Sequence, residues 1–85
     1  MEIRYSRKFL RMYKKLSLDI KKNAEKRIEI FRENVFDSRL ETHKLSGDFD
    51  DCWAFSIDYK NRIIFSFYNK NIILLIAVGD HSVYK

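Results

Sequence analysis

The sequence predicts a small α+β domain with the element order β-α-α-β-β-β. A helical hairpin packs on one face of a small, mostly antiparallel twisted sheet. Three observations carry this expectation. Residues 7–36 place apolar side chains at helical spacing. From residue 37 onward the apolar period shortens to that of strands. The last three apolar runs are joined by polar triplets, short enough for hairpin turns.

"MEIRYS" alternates as a short first strand, with Ile3 and Tyr5 on one side. Ser6 is suited to cap a following helix, because its hydroxyl can accept from a first-turn N–H. "RKFLRMYKKL" puts Phe9, Tyr13 and Leu16 on one helical face with Arg and Lys opposite. Ser17 opens a second helix after almost no loop. In "SLDIKKNAEKRIEIFRENVF", Ile20, Ala24, Ile28, Phe31 and Val35 form the apolar stripe. Lys21, Lys22, Lys26, Arg27, Glu29 and Arg32 form the polar face.

"DSRLETHKLSGDFDD" is polar, contains Gly47, and reads as a loop. "CWAFSID", "RIIFSFY" and "IILLIAV" read as three strands joined by "YKN" and "NKN", forming an antiparallel meander. The first strand finds its place at an edge or beside the last strand.

A chain of 85 residues is read as one domain, residues 1–85. No apolar run approaches the roughly 20 residues of a membrane helix, and the start lacks the apolar segment of a secretion signal. Cys52 is the single cysteine. That predicts no disulfide framework, a small buried thiol rather than a nucleophile, and a reducing, cytoplasmic setting. The net charge is +5 and unevenly placed: residues 1–45 hold 13 Lys/Arg against 7 Asp/Glu, and the remainder is slightly acidic. A basic half suits a polyanionic partner, and equally suits a solvated helical surface.

The chain has no Gly-rich phosphate loop, and His43 and His81 lack metal-ligand spacing. Asp48, Asp50 and Asp51 read as a solvated turn. The expectation is no metal and no cofactor. RNA cleavage needs neither, because the 2′-hydroxyl is the nucleophile. The protein must supply a base for its proton, an acid for the leaving oxygen, and a cation for charge building on phosphorus. Arg62 opens the third strand in this reading, and His81 and Tyr84 follow the fourth. If those two strands form a hairpin, Arg62 and the segment after Val78 emerge at the same end of the sheet. The "NKN" turn lies at the other end. His43 and Lys44 precede the second strand, on a loop the sequence does not place.

The segment "HKLSGDFDDCWAFSIDYKNRIIFSFYNKNIILLIAVGDHSVYK" resembles the C-terminal half of RelE/ParE-superfamily toxins, near the YafQ and RelE/StbE-like branch. The matching pieces are "KLSG", "WAFSI", Arg62 in "RIIF", and Gly79, His81 and Tyr84 in "VGDHSVY". The N-terminal strand and helical hairpin fit the same layout. The resemblance implies the toxin of a toxin–antitoxin pair, an endoribonuclease that cuts mRNA in the ribosomal A site without metal. It implies that Arg62 contacts the scissile phosphate, that His81 and His43 act as acid and base, and that Tyr84 belongs to the site. Lys44, Lys60, Lys85, Lys21, Lys22, Lys26 and Arg27 would meet RNA or the ribosome. An acidic antitoxin would cover the apolar and basic grooves. Ser56 stands where YafQ-like members carry a further histidine, and Lys60 near a position they make acidic. The alternatives are a ParE-like inhibitor of DNA gyrase and an inactive member that only binds antitoxin or RNA.

Overall fold

A computed structural model describes residues 1–47 and 51–80. The element order begins with β1 (Glu2–Tyr5), α1 (Arg7–Lys14) and α2 (Leu18–Glu33). It continues through a 3₁₀ turn (Ser38–Leu40) to β2 (His43–Lys44), β3 (Trp53–Ser56), β4 (Arg62–Phe67) and β5 (Ile72–Gly79). The five strands form one sheet in the order β1-β5-β4-β3-β2. β1 is an edge strand beside the last strand, parallel to it, while the other pairings are antiparallel.

Both helices begin where the serines predict. Ser6 Oγ accepts from Phe9 N–H at 2.9 Å, and Ser17 Oγ from Ile20 N–H at 3.3 Å. α2 closes less than one turn earlier than "VF" suggests. Asn34 adopts an extended conformation as the C-cap, so Val35 packs against the core from beyond α2. The segment read as a loop also holds regular structure. Asp37 caps the 3₁₀ turn, and the Arg39 guanidinium and amide hold its carboxyl down at about 2. β2 has only two residues and no apolar alternation of its own. Pairing with β3 makes it a strand, which is why the sequence pattern conceals it.

One face of the sheet carries the core. Phe9, Ala24, Ile28 and Phe31 from the helices meet Phe55, Ile63, Phe65, Ile73, Leu75 and Val78. Phe31 is fully buried, stacked on Phe55 at 4.4 Å and edge-on to Phe65 at 4.9 Å. The other face carries a smaller cluster of Ile64 and Ala77 with Leu45, Cys52 and Ile76. Met12 packs against both clusters.

The β4–β5 register slips by one residue, so Ile76 has no partner on β4. Before the slip Ile73 and Leu75 face the helices, and after it Val78 does. Ser6 ties this bulge down. Its N–H donates to Leu75 O at 3.0 Å, and its hydroxyl donates to Ile76 O at 2.8 Å while capping α1.

Two stability predictions follow from this packing. Phe31→Ala removes the ring that joins α2 to β3 and β4, and urea unfolding should show a loss of about 3–5 kcal/mol. Ser6→Ala removes a helix cap and strands the Ile76 carbonyl, for a loss of about 2 kcal/mol by the same measurement.

Candidate active site

Directly paired residues in an antiparallel ladder share a face of the sheet. The pairs His43–Ala54, Ala54–Ile64 and Ile64–Ala77 therefore form one row across the face away from the helices. The pairs Ser56–Arg62 and Arg62–Gly79 form the next row on the same face. His43 and Arg62 are two strands and one two-residue step apart, about 12 Å between Cα atoms from sheet spacings. Both side chains are long enough to address a ligand lying between them.

Local bonds hold each group. Glu41 has the left-handed backbone conformation, φ 53°, which a non-glycine residue rarely adopts. That turn brings both ends of Glu41 to bear on the site. Its carbonyl lies 3.0 Å from His43 Nδ1, and its carboxylate accepts from Ser56 Oγ at 3.4 Å. A carbonyl only accepts, so the neutral His43 ring in this contact carries its proton on Nδ1 and a lone pair on Nε2.

Arg62 is half-buried, and its Nη1 donates to the carbonyls of Asp58 and Asn61, the latter at 3.1 Å. These carbonyls belong to the β3–β4 turn, which Asp58 organises. Its Oδ1 accepts from Lys60 N–H at 2.8 Å, from Asn61 N–H at 2.7 Å and from Asn61 Nδ2 at 3.1 Å. Partial burial works to raise the Asp58 carboxyl. The Asn61 amides, the Lys60 N–H and the Arg62 charge outweigh it and hold the carboxyl below its ordinary value.

The remaining expected residues divide by position. Lys60 is exposed in the β3–β4 turn, at the Arg62 end of the sheet. Lys44 pairs with Trp53, so strand alternation turns it to the face opposite His43. Lys21, Lys22, Lys26 and Arg27 lie on α2, on the helical side of the sheet. Arg27 is bound to the Arg39 carbonyl at 2.7 Å. It lines a groove of about 490 Å³ with Lys26, Arg39, Ile57 and Asp58. His81, Tyr84 and Lys85, like Asp48 and Asp50, lie outside the described residues. β5 reaches Gly79 opposite Arg62. Burial, and secondarily Asp51, raises the Cys52 thiol, the direction opposite to an activated nucleophile. Among the described residues no group of three His, Cys, Asp or Glu side chains has the arrangement to hold a metal ion.

No family model and no curated protein matches the chain. Solved structures do. YafQ from E. coli strain BL21(DE3) superposes with a TM-score of 0.81 at 13% identity, over 98% of this chain and 96% of that one. A YoeB/ParE toxin from Agrobacterium tumefaciens gives 0.79 at 14% identity, over 95% and 99%. YoeB from the YoeB–YefM complex of Staphylococcus aureus gives 0.76 at 15% identity, over 95% and 97%. The chain has the fold of the YafQ and YoeB toxins.

Within this YafQ-like fold, sequence reasoning picked out Arg62 and His43 but passed over Glu41 and Asp58. Glu41 stands two residues before His43, a spacing visible in the chain. Its role depends on a left-handed turn that no glycine or asparagine announces. Asp58 carried a readable signal: an aspartate three residues before an asparagine in a hairpin is a turn-capping pattern.

The depressed Asp58 carboxyl gives a pH signature. Its stabilising contribution is present above the ordinary aspartate value of 3.8 and is lost as pH falls through the lower folded-state value. Asp58→Asn should therefore unfold at lower urea than the parent protein at pH 7. At pH 2.5 the two midpoints should draw together.

Proposed function

We propose that this chain is the toxin of a toxin–antitoxin pair and acts as a ribosome-dependent endoribonuclease on mRNA in the A site. The observation that carries this reading is that His43 and Arg62 share one face of the sheet, the face away from the α2 core, in the fold of YafQ and YoeB. Among the matching structures are complexes described as DinJ–YafQ toxin–antitoxin and YoeB–YefM. These support a cognate antitoxin as this chain's partner too.

The chemistry follows from the groups available. His43 Nε2 takes the proton of the RNA 2′-hydroxyl. The freed oxygen attacks the adjacent phosphorus, the O2′–P bond forms and the P–O5′ bond breaks. In this reading His81 delivers a proton to the departing O5′, and Tyr84 is assigned to the site from the sequence resemblance alone. Arg62 stabilises charge on the phosphate oxygens through its planar fork of N–H donors. In this reading the nucleophile comes from the RNA and the base, acid and cation from His43, His81 and Arg62, so the step consumes no water and calls for no metal. The α2 cations Lys21, Lys22, Lys26 and Arg27, with Lys44, Lys60 and Lys85, would supply the sequence-independent attraction to ribosomal RNA.

The test is primer extension on one defined mRNA, with and without programmed ribosomes, with EDTA in parallel. Cuts confined to the A-site codon, dependent on ribosomes and resistant to EDTA, are expected. Arg62→Ala and His43→Ala should each slow cleavage by about 10²–10⁴-fold with the fold intact. Cleavage of free RNA at the same rate would make the protein a general ribonuclease. Growth arrest without any RNA cutting would favour a gyrase-directed toxin, and neither effect would point to an inactive binding member.

A further inference from the structure

The bonds that hold Arg62 divide its guanidinium into two edges. Both contacts are made by Nη1, to the carbonyls of Asp58 and Asn61. The opposite edge carries Nε and Nη2, the side-on fork that matches two phosphate oxygens. The anchor is made of neutral carbonyls rather than a carboxylate. Among the described residues no carboxylate is bonded to the Arg62 guanidinium.

The anchor itself depends on Asp58. Its Oδ1 gathers the N–H groups of Lys60 and Asn61 and the Asn61 amide, and its Oδ2 accepts from the same amide at 3.2 Å. Asn61 is buried, and its carbonyl also accepts from Ile57 N–H at 2.9 Å, tying the turn to the core residue Ile57. A free arginine loses rotamer entropy when it grips a phosphate, and one pre-ordered by its turn loses less.

We propose that Asp58 is a positioning residue: it fixes the β3–β4 turn so that the turn carbonyls hold one edge of the Arg62 guanidinium and present the other to an RNA phosphate. This rests on the reading of Arg62 as the phosphate contact.

Two measurements test it. The first needs no activity. In ¹⁵N-labelled protein, the Arg62 Nη signals should be resolved by slow rotation about the Nε–Cζ bond in the parent and in Asp58→Asn. They should collapse in Asp58→Ala. Averaged signals in the parent, or signals unchanged in Asp58→Ala, would overturn the clamp. The second is single-turnover cleavage of ribosome-bound mRNA by Asp58→Ala, Arg62→Ala and the double variant. Asp58→Ala should lose about tenfold in rate, a modest misplacement of a catalytic group. Asp58→Asn, which keeps an acceptor oxygen, should recover to within about threefold of the parent. In the Arg62→Ala background Asp58→Ala should add nothing. An equal further loss there would show that Asp58 acts on the fold or another group, and would sink the proposal. Should Asp58→Ala not fold, Asp58→Ser keeps a shorter acceptor and enters both comparisons in its place. A parent protein that cuts no RNA would remove the ribonuclease reading, while the Arg62 signals would still decide the clamp.

Discussion

The one-residue slip at Ile76 governs how the sheet is used. β5 lies between β1 and β4, parallel to the first and antiparallel to the second. Strict alternation along Ile72–Gly79 would send Ala77 to the helices and Val78 away from them. With Ile76 as the extra residue, Val78 joins the core and Ala77 turns to the opposite face beside Ile64. The same slip sets Gly79 against Arg62, so the strand ends level with the candidate site. A bulge leaves backbone groups without ladder partners, and Ser6 answers for one of them through the Ile76 carbonyl. One serine thereby joins the end of β1, the cap of α1 and the irregularity in β5.

The two faces of the sheet divide the work. The helical face is closed by the Phe31, Phe55 and Phe65 ring cluster, where aromatic packing fixes the distance between α2 and the strands. The opposite face carries small residues, Ala54, Ser56, Ala77 and Gly79, in the rows that hold His43 and Arg62, and Ile64 and Ala77 are buried there under Met12, Leu45, Cys52 and Ile76. A well-packed core underneath keeps this face rigid. Rigidity matters because an arginine acts on a phosphate through direction as much as through charge.

The fold was largely legible because its signals are local and mutually consistent. The Phe9–Tyr13–Leu16 and Ala24–Ile28–Phe31 stripes have one helical solution, and Ser6 and Ser17 mark both starts. "YKN" and "NKN" leave the meander little freedom. The half-legible parts are those made by partners. β2 exists only through β3, and the end of α2 at Glu33 is set by Asn34 turning extended, against a stripe that runs on to Val35. In the candidate site, Arg62 was legible from the hairpin arithmetic that sets it opposite the end of β5. His43 was legible only as a residue type, since its loop gave no position. Glu41 was not legible at all, because its contribution comes through a left-handed backbone angle.

The sequence by itself determined the helices, the meander and the identity of the groups capable of acid, base and phosphate chemistry. Those depend on residue type and on spacing within one element, and both are written in the chain. Only the tertiary structure decided which groups share a face. His43 and Lys44 are neighbours in sequence yet point to opposite sides, because β2 takes its register from β3. His43 and Arg62 are 19 residues apart yet share one face of the sheet. Register is a cooperative property of paired strands, fixed by the core packing of all of them at once, and a shift of one residue inverts every side chain on the strand.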